Sequence, residues 1–289
     1  KRRKMKTKIK YIILLLLVIQ TGYAQEASKF TVKVPNKTFI GAILEPGSIN
    51  SDTHQFLDVP LNPITISYSL PMKSQEITPG YDNMMKAIRE GLQQNNILKP
   101  NYQFSSSIDE IKSYEELAIY FGQKINPSLF FGTSRQKQKK TIVVLSISQS
   151  FFSVDMDLPE SLSDDPTVLE QKDKLIYVSS IQFGRKAVAI IESDFDSQTV
   201  KTAIKDIISK TENNEASILD ESMAVIANAT VRCMTIGNDN MEETDPDNPL
   251  KNLINYLNKK ATPEDFGMPI TFSAAYLKDN SVFVNKFTK

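Results

Sequence analysis

Apolar residues recur along this chain with two different periods. At helical spacing stand Met84, Met85, Ile88 and Leu92 in YDNMMKAIREGLQQ, then Val200, Ala203, Ile204, Ile207 and Ile208 in SQTVKTAIKDIISK. Leu250, Leu253, Ile254 and Leu257 in DNPLKNLINYLNKK repeat the device. Each stripe predicts an amphipathic helix, with Ser197 at the N-cap position of the second and Pro249 just inside the start of the third. Alternation with a period of two marks KFTVKVP, NPITISYSLP, TIVVLSIS, SFFSVDMDLP and MPITFSAAYL as strands, and sets Phe152, Val154, Met156 and Leu158 on one face. DKLIYVSSIQFGRKAVAIIESD reads as a long strand pair or hairpin turning near Gly184. Long strands and helices outside a strict βαβ order predict an α+β fold around a mostly antiparallel sheet.

Two segments fit both periods. In SYEELAIYFGQKINPSLFFGTS, Leu117, Ile119, Phe121 and Ile125 share a strand face, while Leu117, Tyr120, Phe121 and Ile125 share a helix stripe behind Glu115 and Glu116. In DESMAVIANATVRCMTIGNDN, Met223, Val225, Ala227, Ala229, Val231 and Cys233 alternate with Ser222, Ala224, Ile226, Asn228, Thr230 and Arg232. Ser222, Val225, Ile226 and Ala229 also make a helix face. The pattern leaves two readings open: ordinary helices on a sheet, or segments used in both backbone states before and after a conformational change.

The chain of 289 residues begins KRRKMKTKIKYIILLLLVIQTGYAQ: a basic cluster, a short apolar run from Tyr11 to Ile19, and small residues before Gln25. That order predicts a cleaved secretory signal over residues 1–24, since the run is short for a membrane span. The expected domain is then 25–289, one unit with no linker or internal repeat. The leader carries seven Lys and Arg and no acidic residue, so the remainder holds 27 basic against 34 acidic groups, a net charge of −7. An acidic secreted chain is poorly matched to nucleic acid, whose binding rests on neutralising phosphates.

Candidate chemistry is sparse. The lone Cys233 rules out an internal disulfide, and with His54 as the one histidine there are few soft metal ligands. His54 in SDTHQF is expected at the surface. The carboxylate pairs Glu115–Glu116, Asp164–Asp165 and Glu242–Glu243 are adjacent in sequence, with no accompanying histidine or phosphate loop. GNDNMEETDPDN is acidic but lacks the spacing of a calcium loop. No enzyme, cofactor or metal site is expected.

Five stretches in order carry a resemblance: FIGAILEPGSI, FLDVPLNPITISYSLP, QSFFSVDMDLPESLSDD, LIYVSSIQFGRKAVAIIESDFDSQTVKTAIKDII and MPITFSAAYLKDNSV. They resemble the thiol-activated, cholesterol-dependent cytolysins over about residues 30–284, and Phe183, Gly184 and Arg185 stand in a family motif. The resemblance implies the core of the membrane-attack-complex/cytolysin superfamily, a twisted, mostly antiparallel central sheet flanked by helical clusters. It implies a pore-forming protein whose two clusters, here about Ser113–Gln138 and Glu215–Met234, refold on a membrane into amphipathic β-hairpins of a large oligomeric barrel. Leu117, Ile119, Phe121 and Ile125 of the first hairpin, and Met223, Val225, Ala227, Ala229, Val231 and Cys233 of the second, would then face lipid. Ser222, Asn228, Thr230 and Arg232 would face the lumen, with Arg232 a solvated surface residue before insertion.

The family's Gly-Gly hinge beside a strand-covering segment corresponds to Gly237 and Asn238. Its stacked intersubunit aromatics fall at Glu110 and Val231, neither aromatic. The family's C-terminal β-sandwich, with its Trp-rich loop and Thr-Leu pair, has no counterpart in a chain without Trp, so cholesterol recognition is not carried over. The implied partners are further copies of the chain in a ring, or a longer homologous subunit that it completes without being lytic itself, and a lipid membrane. The implied location is outside the cell, then the target membrane.

Overall fold

The structure, a computed structural model, describes residues 24–33, 37–97, 102–126, 128, 139–212, 220–236, 250–259, 261–262 and 265–288. The expected signal, apart from Ala24, lies outside them. In chain order the elements are β1 (Ala24–Ala27), β2 (Phe30–Thr31), β3 (Ile43–Leu44), β4 (Ile64–Tyr68), β5 (Gln75–Ile77), α1 (Tyr81–Gln94) and β6 (Gln103–Ile111). There follow α2 (Ala118–Phe121), β7 (Thr141–Met156), α3 (Pro166–Glu170), β8 (Ile176–Ser193), α4 (Ser197–Glu212), α5 (Asp220–Ala227), β9 (Thr230–Ile236), α6 (Lys251–Asn258), β10 (Met268–Tyr276) and β11 (Asn285–Thr288).

Every strand pair among the described residues is antiparallel, and the fold is α+β as expected. Two strands organise it. β7 and β8 pair from Thr141↔Ser193 to Asp155↔Ser180 and change neighbours along their length. At one end the order is β2-β10-β8-β7-β4-β5; at the other, β6 lies outside β7 and β9 outside β8.

The sequence pattern broke both long strands in two, and the structure shows each as one. TIVVLSIS and SFFSVDMDLP are joined in β7 through a register shift between Ser150 and Phe152, which breaks the alternation without ending the strand. β8 runs straight through Gly184. A Cβ there would lie 1.9 Å from the Gln149 carbonyl oxygen of the neighbouring strand, so glycine serves close approach and not a turn. Phe183 stacks on Phe152 at 5.0 Å beside this point. Arg185 is buried, donating to the Lys259 carbonyl and pairing with Asp265 at 3.4 Å, which ties the end of α6 to the sheet. Thus all three motif residues sit at the waist where the sheet changes neighbours.

Below the waist α1 packs Met84, Ile88 and Leu92 into a core with Ile64, Ile66, Phe152 and Val154. Above it the four-strand part β6-β7-β8-β9 is covered on both faces. The burial pattern of β8 is accordingly continuous toward its end and not alternating. α4 begins at Ser197, but its capping group is Asp196, whose carboxylate accepts from the Thr199 N–H at 3.0 Å. Leu158, expected to share a strand face with Phe152, Val154 and Met156, lies beyond β7 and is exposed.

Candidate membrane-inserting segments

The two ambiguous segments occupy equivalent places. Residues 112–140 join β6 to β7, and residues 194–229 join β8 to β9; in each case the joined strands are antiparallel neighbours. An antiparallel pair can be closed by a turn of two residues, so both connectors are much longer than pairing demands. In the described part each contains helices, and the two cover opposite faces of the sheet.

On one face, Tyr114–Leu117 forms a 3-10 turn that runs into α2. Tyr114, Leu117 and Phe121 are buried against Ile142, Val144, Val188 and Ile190, while Ile125 is half-buried and Ile119 is 42 % exposed. Burial at 114, 117 and 121 with 119 outside is a helix stripe. The strand alternation of Leu117, Ile119, Phe121 and Ile125 is therefore unused in this state. α2 ends at Gly122 in the left-handed region, φ 68°, where a Cβ would meet the Lys29 carbonyl oxygen at 2.0 Å.

On the other face, α4 buries Val200, Ala203, Ile204 and Ile207, and α5 buries Val225 and Ile226, all against Val143, Leu145, Ala187, Ala189 and Ile191. Met223 and Ala229 are half-buried there, and Ala227 is exposed. Val231 and Cys233 already belong to β9, so the second predicted set is divided between a helix and a formed strand. Gly237 and Asn238 lie outside the described residues, as do 127, 129–138 and 215–219 of the two predicted hairpins and the acidic stretch from 237 to 248.

Polar contacts fasten the first connector at both ends. At its start the Tyr114 hydroxyl donates to Glu192 Oε1 at 2.7 Å, and Arg232 Nη1 donates to the same oxygen at 3.1 Å. Glu192 is 2 % exposed, so Arg232 is not the solvated residue expected but one arm of a partly buried ion pair. At its end the Gln123 side chain is wholly buried; its amide donates to the Thr31 carbonyl at 2.5 Å, and its oxygen lies 2.8 Å from His54 Nε2. Asn285 donates to the Gly122 carbonyl at 3.1 Å, and Asn50 Oδ1 accepts from the Lys124 N–H at 2.9 Å.

Between these ends Lys186 of β8 reaches across. Its ammonium donates to the Tyr120 carbonyl at 2.7 Å and Thr31 Oγ1 at 2.6 Å and lies 5.4 Å from the Phe121 ring centre. Burial pulls its pKa down to about 8.

His54 departs furthest from expectation. It is 3 % exposed, packed edge-on to Phe272 at 5.1 Å, and burial lowers its pKa to about 4. The pattern could not show this, because its partners come from β10 and from the end of α2. Lys186 did leave a signal: Arg185 and Lys186 are adjacent cations inside an otherwise apolar strand. Asp165, one of the adjacent carboxylates, caps α3 by accepting from the Thr167 N–H.

Sheet register also relates the two predicted apolar sets. Ile111, Ile142, Val144, Val188, Ile190 and Ile236 line one face; Val143, Leu145, Ala187, Ala189, Ile191, Val231 and Cys233 line the other. Extending β6 in register from Ile111 carries Leu117, Ile119, Phe121 and Ile125 along the first face. Extending β9 backward from Thr230 carries Ala229, Ala227, Val225 and Met223 along the second, and Ser222, Ala224 and Ile226 along the first. A one-residue offset exchanges these faces.

Among the described residues no helix is long and apolar enough to cross a membrane, which says nothing of strands. A family model described as thiol-activated cytolysin matches residues 26–288. Tetanolysin of Clostridium tetani is 24% identical over 285 residues, covering 86% of this chain and 52% of tetanolysin. Perfringolysin O of Clostridium perfringens is 24% identical over 280 residues, covering 86% and 55%. The chain thus spans about half the length of the curated relatives it matches. Among solved structures, the human-specific toxin intermedilysin superposes with a TM-score of 0.68 at 18% identity, covering 91% of this chain and 62% of that one. Listeriolysin O gives 0.65 at 17% identity, covering 91% and 60%.

Proposed function

The chain belongs to the thiol-activated cytolysins, a family of pore-forming toxins, and we propose that it is a secreted protein that assembles with further copies of itself on a lipid membrane. On assembly, residues 112–140 and 194–229 leave the sheet and extend β6, β7, β8 and β9 as two hairpins of a barrel wall. The observation that carries this reading is that both connectors join antiparallel neighbours and contain helices within their described parts. Continuing the existing ladders supplies every new backbone partner, which is what a bilayer demands of a spanning structure. Each connector is long enough for two spanning strands of about 9–11 residues.

The opposing terms are close in size. Freeing Leu117 and Phe121 from the sheet costs about 1.5–3 kcal/mol each in lost burial, and lipid contact by the extended strand returns it. The polar groups that hold the connector have no such return, so they set the barrier. In the wall, Leu117, Ile119, Phe121 and Ile125 face lipid. In the second hairpin, register decides whether Met223, Val225, Ala227 and Ala229 or the residues between them do so.

The test is dye release from liposomes, read with the appearance of detergent-resistant oligomers. In a Cys233→Ala background, an engineered disulfide between the 114–121 segment and β8 is expected to abolish release, and reduction to restore it. Release that ignores the lock would refute the conversion of the first connector.

A further inference from the structure

We infer that His54 is an acid-sensitive latch on the first connector: the neutral imidazole holds Gln123 against the sheet, and protonation favours the state in which the 114–126 segment has let go. The inference rests on the reading of that segment as convertible, and it names the chemical signal that starts the conversion.

The geometry is a short relay. His54 Nε2 lies 2.8 Å from Gln123 Oε1, and the Gln123 amide donates 2.5 Å to the Thr31 carbonyl of β2. With its amide turned to Thr31, the Gln123 oxygen accepts from an imidazole that carries its proton on Nε2. Gln123 follows Gly122 directly, so the relay acts at the residue where α2 ends. Both side chains are buried, 3 % and 0 % exposed, and the imidazole faces the Phe272 ring of β10 and lies 6.4 Å from the Phe56 ring. Gln123 therefore forms part of the wall that separates His54 from water.

The charged groups around the relay are mostly cations. Lys33, which follows β2, donates to the carbonyls of Ile49 and Ser51 and repels a charged imidazole. Lys186 of β8 donates to Thr31 Oγ1, on the residue that receives Gln123. From the connector side comes Lys124, exposed beyond Gln123. The loop's own acid is the exposed Asp52, which acts on Lys33 and accepts from Asn126 Nδ2 at 3.3 Å. β10 contributes an aromatic face. Burial favours the neutral ring most, the Gln123 contact opposes it, and Lys33 adds a smaller push in the same direction as burial.

The sign follows from linkage. The released ring has its ordinary pKa of 6.5, while the held ring titrates near 4. Between those values only the released state binds the proton, so acid shifts the balance toward release, by roughly 10-fold at pH 5.5 relative to pH 7.5.

The experiment is amide hydrogen exchange of residues 113–125 in the full chain in solution, at pH 7.5 and 5.5, with rates corrected for intrinsic exchange. Opening about 10-fold faster at the lower pH is expected in the parent chain, with α1 unchanged. His54→Gln should lose the pH response, and Gln123→Leu, which removes the contact, should raise opening at both values. Equal protection of the parent at both pH values, a response that survives in His54→Gln, or an equal rise in α1 would each overturn the latch. No membrane is present, so failure of the pore reading has a separate signature: acid opening intact, dye release absent.

Discussion

The hydroxyl of Tyr114 and the carboxylate of Glu192 meet at 2.7 Å, and this one contact ties the first connector to the strand from which the second departs. Arg232, on the strand where the second connector ends, donates to the same oxygen at 3.1 Å. Glu192 thus joins three elements that conversion would have to separate or realign.

Tyr114→Phe removes the hydroxyl and keeps the ring in its buried place. A hydrogen bond to a charged group contributes about 1.5–3 kcal/mol. Amide exchange in residues 113–121 is accordingly expected to rise by roughly 10- to 100-fold. In an Arg232→Gln background the same substitution should cost a different amount, because both donors share one acceptor. Strict additivity in that double-mutant cycle would show that the two contacts act independently.

Gly122→Ala tests the end of α2. At φ 68° an added Cβ is strained and would also press on the Lys29 carbonyl oxygen, 2.0 Å away. The variant should fold with α1 intact and lose protection over residues 114–125, as read by exchange or by proteolysis within the connector. Protection equal to the parent would mean that the 27–29 backbone yields more readily than its packing implies.

Lys186 gives a pH dependence in the alkaline range. Its pKa is about 8 in the folded chain and an ordinary 10.5 when unfolded. Below pH 8 both states carry the proton, and folding bears the full cost of burying it. Between 8 and 10.5 only the unfolded chain holds it, so stability should rise across that window by up to about 3 kcal/mol. Denaturant titrations at pH 7.5 and 10 measure this, and Lys186→Met should remove its share of the difference, leaving that of Lys33, whose pKa burial also lowers to about 8.

Sequence pattern made the isolated helices legible because their stripes are local. Met84, Ile88 and Leu92 of α1, and Leu253, Ile254 and Leu257 of α6, are buried as their spacing required. The long strands were not legible as single elements. Gly184 resembles a turn signal until Gln149 on the next strand is known to press against it, and the register shift at Ser150 hides the continuity of β7. The candidate segments were found through their double periodicity and the family resemblance, but the groups that fasten them were not. Glu192, His54 and Gln123 acquire their roles from residues 78, 69 and 92 positions away, and no local pattern encodes a partner at that distance.

The sharpest test concerns which residues of the second connector meet lipid. A barrel wall has one lipid side, so the apolar sets of both hairpins have to share it. Alternation alone favoured Met223, Val225, Ala227 and Ala229, whose neighbours Ser222, Ala224, Ile226 and Asn228 are little more polar. Continuing the observed ladders puts Met223, Val225, Ala227 and Ala229 opposite Leu117, Ile119 and Phe121, and puts Ser222, Ala224 and Ile226 beside them. Single cysteines at 117–121 and 222–229 in a Cys233→Ala chain, each carrying a polarity-sensitive dye, report the phase on liposomes. In-register growth requires blue shifts at 117, 119, 121, 224 and 226. Blue shifts at 223, 225 and 227 together with 117, 119 and 121 would instead require a one-residue bulge near Asn228, where α5 now gives way to β9. A uniform shift with no alternation in either segment would exclude strands altogether and with them the barrel.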